Sequence, residues 1–506
     1  MTATTWAISF SGLKPELISV QAHLNNGLQV FNIVGLADKA IAESKERIRA
    51  AFSSIGLSLP TRRITINLAP AAIHKEGSHF DLPIALALLG AAEIIPPFEL
   101  ENYISIGELS LDAKINPVQG VLPSAIFANE NEKTLICPAA NQREAAWSGS
   151  APFIATDNLM QLINFLNEKQ FPPINQYLES KAPSATISYP KFEEVKGQEA
   201  TKRALEIAAA GGHNVLMIGS PGSGKSMLAQ RLPGIMPPLT SREILETSII
   251  NSIAGRLDEQ GIQTQRPFRA PHSSSSLAAI VGGGRNAKPG EVTLAHNGIL
   301  FLDELPEFSR NTLEALRQPV EERVITVARA NAHITYPANF LLIAAMNPCR
   351  CGYYGDVSAA CSKAPRCAED YQSRISGPLY DRFDLQVEVF PIDFRQYHQP
   401  SSTDITTTES IRERVISARQ LQFQRYNSEE ILNSNVSGEL LEQITAIDGE
   451  LIPILEKAML KFKMSMRAYT KLLRVARTIA DLEQAETISK DHIFEALSFR
   501  LAKLRS

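Results

Sequence analysis

Residues Gly219, Ser220, Pro221, Gly222, Ser223, Gly224, Lys225 and Ser226 fit the pattern G-x-x-x-x-G-K-[ST] without a mismatch. This is chemistry for gripping a polyphosphate. Glycines let successive backbone N–H groups turn inward around phosphate oxygens, and a following helix adds the positive end of its dipole. Lys225 is expected to reach the β- and γ-phosphates of ATP, and Ser226 to ligand Mg²⁺. A second set of candidates ends the apolar run 299–302. There Asp303 is expected to hold the Mg²⁺ shell and Glu304 to polarise an attacking water. Asn347, at the tip of the apolar run "NFLLIAAMNP", is expected to orient that water. Close behind it, Cys349, Cys351, Cys361 and Cys367 are spaced C-x-C-x9-C-x5-C. Four thiolates in one loop could close a tetrahedral structural Zn²⁺ site, with free thiols as the alternative; Cys137 reads as core.

These side chains need elements to position them. "NVLMIGSPGSGKSMLAQRL" reads as an apolar strand, a glycine-rich loop and a helix, with the acidic pair ending a neighbouring strand and Asn347 the strand beside that. The acidic pair begins 78 positions after the lysine (303 − 225), whereas one strand–helix–strand crossover needs only about 30 residues. Something is inserted. The stretch 266–292 is rich in Gly and Ser, carries Arg266, Arg269, Arg285 and Lys288, and reads as a loop or mobile element projecting from the domain. "VITVARANAHITYPANF" alternates like a β-hairpin with Arg329 and Asn331 at its turn. A basic loop beside a hairpin suits a ring motor that grips a strand in its pore.

The rest of the chain divides by composition. Residues 1–170 mix strands and helices, as expected of an α+β domain. Two strands are expected around an Asn-Asn-Gly turn at 25–27, then a helix capped by Asp38 and Gly56, a strand at "RRITINLAP" and a buried helix at "FDLPIALALLGAAEI". A hairpin at "ISIGELSLDAKINPVQG" and a strand at "TLICPA" follow. Residues 171–190 read as a linker, 191–395 as an α/β nucleotide-binding core, and 396–506 as a helical lid. Net charge is −4 over 506 residues, so any nucleic-acid contact must come from a local basic surface. Five cysteines, most in one stretch, argue against a secreted disulfide scaffold. With no signal-like start and no apolar run long enough to span a bilayer, a cytoplasmic protein without membrane contact is expected.

Five segments, "VLMIGSPGSGKSMLAQRLPGIMPPL", "FRAPHSSSSLAAIVGGG", "ILFLDELPEF", "RISGPLYDRFDLQVEV" and "SMRAYTKLLRVARTIADLE", resemble in order the ComM/YifB group of magnesium-chelatase-related AAA+ ATPases. The resemblance runs over essentially the whole chain. It implies an AAA+ P-loop core, a cytoplasmic homo-hexameric ring with ATP between subunits, and an ATP-driven DNA helicase. The work so implied is branch migration when incoming single-stranded DNA recombines during natural transformation, with a recombinase or other recombination proteins as partners. By position, Arg382 in "GPLYDRFD" matches the arginine finger given to a neighbouring subunit, with Arg374 in "QSRISGP" as its competitor. Arg467 in "SMRAYTKLLR" matches the second sensor on the lid. A fixed guanidinium suits both roles, because it stabilises charge spread over a transferring phosphoryl group.

The N-terminal domain resembles the ribosomal-protein-S5-like fold shared by the Lon peptidase domain and RadA, which raises an ATP-dependent protease. The residues speak against it. In "KEGSHFD" the nucleophile slot holds His79, the matching lysine slot holds Leu122, and Ser78 is displaced by one position. A non-catalytic DNA-binding or ring-forming module is the better reading, with Lys45, Arg47, Arg49, Arg62, Arg63 and Lys75 as candidate phosphate contacts. Two further functions stand as alternatives: the motor subunit of a magnesium chelatase, and a machine that remodels polypeptides.

Overall fold

The structure is a computed structural model that describes residues 2–149, 152–168, 189–258, 261–284, 287–329, 332–352, 354, 365–391, 407–447, 449–462 and 464–500. They cluster into two compact units, residues 1–185 with 240–264, and residues 186–239 with 265–506.

The N-terminal unit is built on strands β1 (Thr2–Ser11), β2 (Lys14–Asn25), β3 (Phe31–Val34), β4 (Arg63–Ala69), β5 (Tyr103–Ser105), β8 (Thr134–Pro138) and β9 (Phe153–Thr156), with β6 (Glu108–Leu109) and β7 (Ile115–Asn116) as a separate small hairpin. The sheet order is β3-β4-β2-β1-β5-β8-β9. The Asn-Asn-Gly turn therefore does not close a hairpin, because β4 sits between β2 and β3. The tight hairpin is β1–β2, where Ser11 pairs with Lys14 across Gly12 at φ +68°. Asp38 caps the helix Lys39–Ser54, accepting from Ile41 N at 2.9 Å, and Gly56 at φ +77° ends it. Every residue of the helix Asp81–Ala91 is buried, as its all-round apolar sequence demands.

Asp81 at the head of that helix is buried because its charge is matched. Arg47 donates to it at 2.6 and 2.9 Å, Leu109 N at 3.2 Å, and Ser44 adds a short bond. Arg47 is thus a structural ion pair. Lys75 is fully buried as well, its ammonium bonded to the Pro70 carbonyl. Neither is free for phosphate, which corrects the expectation for these two.

The insertion is real but lies elsewhere than expected. Residues 240–264 leave the nucleotide unit and join the N-terminal one. Thr240 and Glu243 form a capping box on the helix Ser241–Ile253, which packs on the helix Val121–Glu130. Glu144 ties the two together, accepting from Leu122 N at 2.9 Å and Ser252 Oγ at 2.5 Å, while Gly120 N reaches Ser252 O at 3.2 Å.

In the second unit, β10 (Val215–Gly219), β11 (Phe268–Arg269), β12 (Ile299–Leu302), β15 (Leu341–Met346) and β16 (Leu385–Val389) form an all-parallel sheet in the order β11-β12-β15-β10-β16. The strand carrying the acidic pair is not the neighbour of the phosphate-loop strand; the Asn347 strand lies between them. Strands β13 (Val324–Arg329) and β14 (Ala332–Pro337) pair as an antiparallel hairpin. The expected projecting loop is largely built into this unit. Arg266 is buried, donating to Pro237 O at 2.8 Å and Asn297 O at 2.5 Å, and Arg269 forks onto Glu291 at 2.5 and 2.8 Å. Lys288 and Gly283 exchange backbone bonds, while Arg285 and Asn331 lie outside the described residues.

The helices Thr408–Tyr426, Met466–Leu482 and Lys490–Ser498 share one apolar core with that sheet: Ile411, Val415, Leu472, Val475 and Ile493 join Val215, Met217, Ile299 and Ile343. Among the described residues no helix is long and apolar enough to cross a membrane.

Candidate nucleotide site

The site gathers where β10, β12 and β15 end. Beyond Gly219 the loop turns through Gly222 (φ +76°) and Gly224 (φ +91°), left-handed conformations that a Cβ resists. It then delivers Lys225 as the first residue of the helix Lys225–Ile235. The Lys225 ammonium donates to the carbonyls of Gly219 and Ser220, both at 2.8 Å, and lies 3.3 Å from Asn347 Oδ1. Burial pushes this ammonium down, against the pull of the Asp303 and Glu304 carboxylates. Ser226 Oγ donates to Asp303 Oδ2 at 2.6 Å. Lys225, Ser226, Asp303 and Asn347 therefore meet, although Asn347 is 122 residues from the lysine.

Glu304 departs from strand geometry. At φ +51° and ψ +49° it is a left-handed non-glycine residue, a conformation that costs roughly 1–3 kcal/mol where side chains are bulky. The turn separates the acidic pair, leaving Asp303 on Ser226 and Glu304 exposed. The donor set fits the expected cofactor. Ser226 and Asp303 are hard oxygen ligands of the kind Mg²⁺ takes, and the loop offers N–H groups and an ammonium to phosphate.

The arginines assemble separately. Arg382, 7% exposed, pairs with Glu321 on the helix Arg317–Glu322. Arg467, in the first turn of the helix Met466–Leu482, donates to the same Glu321 oxygen at 3.1 Å. Among the described residues neither bonds to the phosphate loop. The Arg382 hydrogen bond, then Arg467, holds the Glu321 carboxyl below its ordinary value. Arg374 is half exposed and paired with Glu307 at 3.2 Å.

A buried cluster behind Arg382 went unread in the sequence. Lys471, one turn beyond Arg467, contacts the carbonyls of Asp381 and Phe383 and sits 3.2 Å from Asp384. Asp384 also accepts from Asn214 N at 3.2 Å. Burial alone would raise the Asp384 carboxyl, but the Lys471 ammonium and the His213 bond hold it far below the usual range. The one available signal was an aspartate two residues from a finger candidate.

Cys349, Cys351 and Cys367 converge, with all their Sγ atoms within 4.8 Å of one another and the first two 3.0 Å apart. A zinc ion with Zn–S bonds of about 2.3 Å sets its sulfurs about 3.8 Å apart; the cluster is of a size to surround one ion, with the first pair having to open by about 0.8 Å to reach that spacing. Cys361 lies outside the described residues. In the N-terminal unit Ser78 bonds to Glu108, the half-buried His79 ring bonds to Ile8 O at 2.9 Å, and Leu122 is core. No serine–lysine pair forms there among the described residues.

Three family profiles cover most of the chain: subunit ChlI of Mg-chelatase at residues 20–141, magnesium chelatase subunit ChlI at 191–397, and the ChlI C-terminal region at 405–500. The uncharacterized protein YifB of Salmonella typhimurium is 42% identical over 491 residues, covering 97% of this chain and 95% of its own. Competence protein ComM of Haemophilus influenzae is 39% identical over 500 residues, covering 98% and 97%. The magnesium-chelatase 38 kDa subunit of Rhodobacter capsulatus is 25% identical over 342 residues, covering 62% and 88%. The chain belongs to the ComM/YifB family of magnesium-chelatase-related AAA+ ATPases.

Proposed function

We propose that this chain is an ATP-driven DNA motor that works as a homo-hexamer in the cytoplasm and promotes branch migration when single-stranded DNA recombines. The convergence of Lys225, Ser226, Asp303 and Asn347 carries the ATPase half of this reading. Full-length likeness to a competence protein supports the DNA half.

In this reading Lys225 leaves the Gly219 and Ser220 carbonyls for the β- and γ-phosphates of ATP, and Ser226 and Asp303 hold Mg²⁺, which neutralises phosphate charge. Asn347 orients a water and Glu304 takes its proton, which the exposed, turned-out carboxylate is free to do. Arg382 of one subunit serves a neighbour's γ-phosphate and Arg467 senses phosphate from the lid; both must first leave Glu321. The β13–β14 hairpin grips DNA in the ring. The S5/Lon-like N-terminal unit is a non-catalytic DNA-binding or ring-forming module, and a recombinase is the natural partner. Cys349, Cys351 and Cys367, with Cys361 as the fourth thiolate the spacing offers, hold structural zinc beyond Asn347.

The family profiles favour a chelatase motor subunit as the second reading, but the chelatase relative matches only 62% of this chain. ATP turnover with forked or single-stranded DNA, unfolded protein, or a porphyrin-bearing partner separates the readings. Stimulation by DNA alone is the expected result. Stimulation by unfolded protein without DNA would overturn the proposal in favour of a remodelling machine.

A further inference from the structure

We infer that Glu321 is a positioning residue, an internal anion that parks Arg382 and Arg467 until a phosphate displaces it, and that the two arginines act as one clamp. This rests on the nucleotide-site reading above. A single oxygen, Glu321 Oε1, takes an Nη2 donor from each arginine. Two guanidinium groups this close repel one another unless an anion lies between them. An oxygen held by guanidinium donors is also how arginine binds a phosphoryl group. The carboxylate therefore occupies the place of a phosphate oxygen.

The partners are unequally held. Arg382 is 7% exposed, its Nε has no partner among the described residues, and its Nη1 reaches Pro378 O only at 3.5 Å. Its charge is met almost wholly by Glu321, with donors left over for a larger anion. Glu321 and Arg467 are 46% and 50% exposed, so their pair is weak and readily exchanged. Lys471 grips the carbonyls on both sides of Arg382 from the helix that carries Arg467. The lid helix and the turn bearing Arg382 thus move together, and both arginines converge on one phosphate rather than serving two.

Such an anion competes with ATP. E321Q keeps the shape and removes the charge, so the apparent KM for ATP is expected to fall about two- to five-fold, with DNA-stimulated kcat within about two-fold of wild type. E321D, which keeps the charge on a shorter arm, is expected to stay near the wild-type KM. In an R382A background E321Q is expected to lose most of its effect on nucleotide affinity, since Arg382 is the main partner of Glu321. A KM in E321Q that is unchanged or raised overturns the inference. So does an E321D that lowers KM as far as E321Q does; if E321Q fails to assemble, an E321D whose KM falls about two-fold or more below wild type overturns it instead. A merely structural Glu321 would lower melting temperature without moving KM. K225A separates the two levels: if it turns over ATP as fast as wild type, the site reading itself falls and takes this inference with it.

Discussion

Lys471→Met is the sharpest probe of how the helix Met466–Leu482 is joined to the turn before β16. Lys471 and Asp384 are 8% and 9% exposed, with their charged atoms 3.2 Å apart. Methionine keeps the apolar stem and removes the charge, along with the donors to Asp381 O and Phe383 O. What remains is a buried carboxylate with Asn214 N at 3.2 Å and His213 Nδ1 at 3.7 Å. Removing one side of a buried pair costs about 3–5 kcal/mol, a fall of roughly 5–8 °C in the transition of this unit.

The pH dependence gives that number a signature. In the wild type the folded Asp384 carboxyl lies below its unfolded value. Its stabilisation is therefore complete above about pH 4 and is lost as pH falls through the folded value. In the variant, burial acts with no lysine to offset it, so the folded value rises above the unfolded one. The carboxylate then opposes folding at neutral pH, and taking up a proton relieves it in acid. The stability gap between the two proteins is expected to be widest at pH 7–8 and to narrow steadily toward pH 5. D384N/K471M leaves no bare charge and is expected to recover most of the loss. Urea unfolding followed by circular dichroism at one-unit pH steps measures all three proteins. A gap that stays constant or widens in acid, or a double variant no better than K471M, refutes the reasoning.

Three other outcomes are expected. Lys225→Ala removes a charge-assisted phosphate contact and should weaken binding of a fluorescent ATP analogue by about 10- to 100-fold, whereas Glu304→Gln should bind normally and turn over at least about 100-fold more slowly; equal turnover in E304Q would remove the base assignment. Metal analysis of protein purified without chelator should find about one zinc per chain, lost in C349S and C367S; a zinc-free wild type would leave the cluster as free thiols. Arg47→Ala strands buried Asp81 and should destabilise the N-terminal unit by about 3 kcal/mol without changing the salt slope of DNA binding; a slope reduced by one unit would return Arg47 to the DNA surface.

The phosphate loop was readable because its geometry is local: glycines, a lysine and a serine in eight contiguous residues on one strand–helix turn. Strand order was not. The runs at 299–302 and 341–346 are equally apolar, and nothing within either says which lies beside β10, since packing between distant elements decides it. Charge misled wherever its partner was remote. Arg266 reads as solvated until Pro237 and Asn297 close on it from 29 and 31 residues away, and Arg47 is matched by an aspartate 34 residues on. Glu321 carried no signal, because an acidic residue on a short helix reads as surface until residues 61 and 146 positions away reach it.

The helix Ser241–Ile253 decides how this protein can be cut. It folds with the first 185 residues, yet it is encoded inside the ATPase. Shortening the gene to start after residue 190 would strand Ser252, which bonds to Glu144 and Gly120, and the face of this helix that packs on Val121–Glu130. A backbone nick engineered between residues 170 and 188 should give two bands on a denaturing gel but one peak on a sizing column, because residues 240–264 of the second piece are part of the first piece's fold. Inserting sequence at the two crossings, after 239 and before 265, is the gentler way to ask what the N-terminal part contributes.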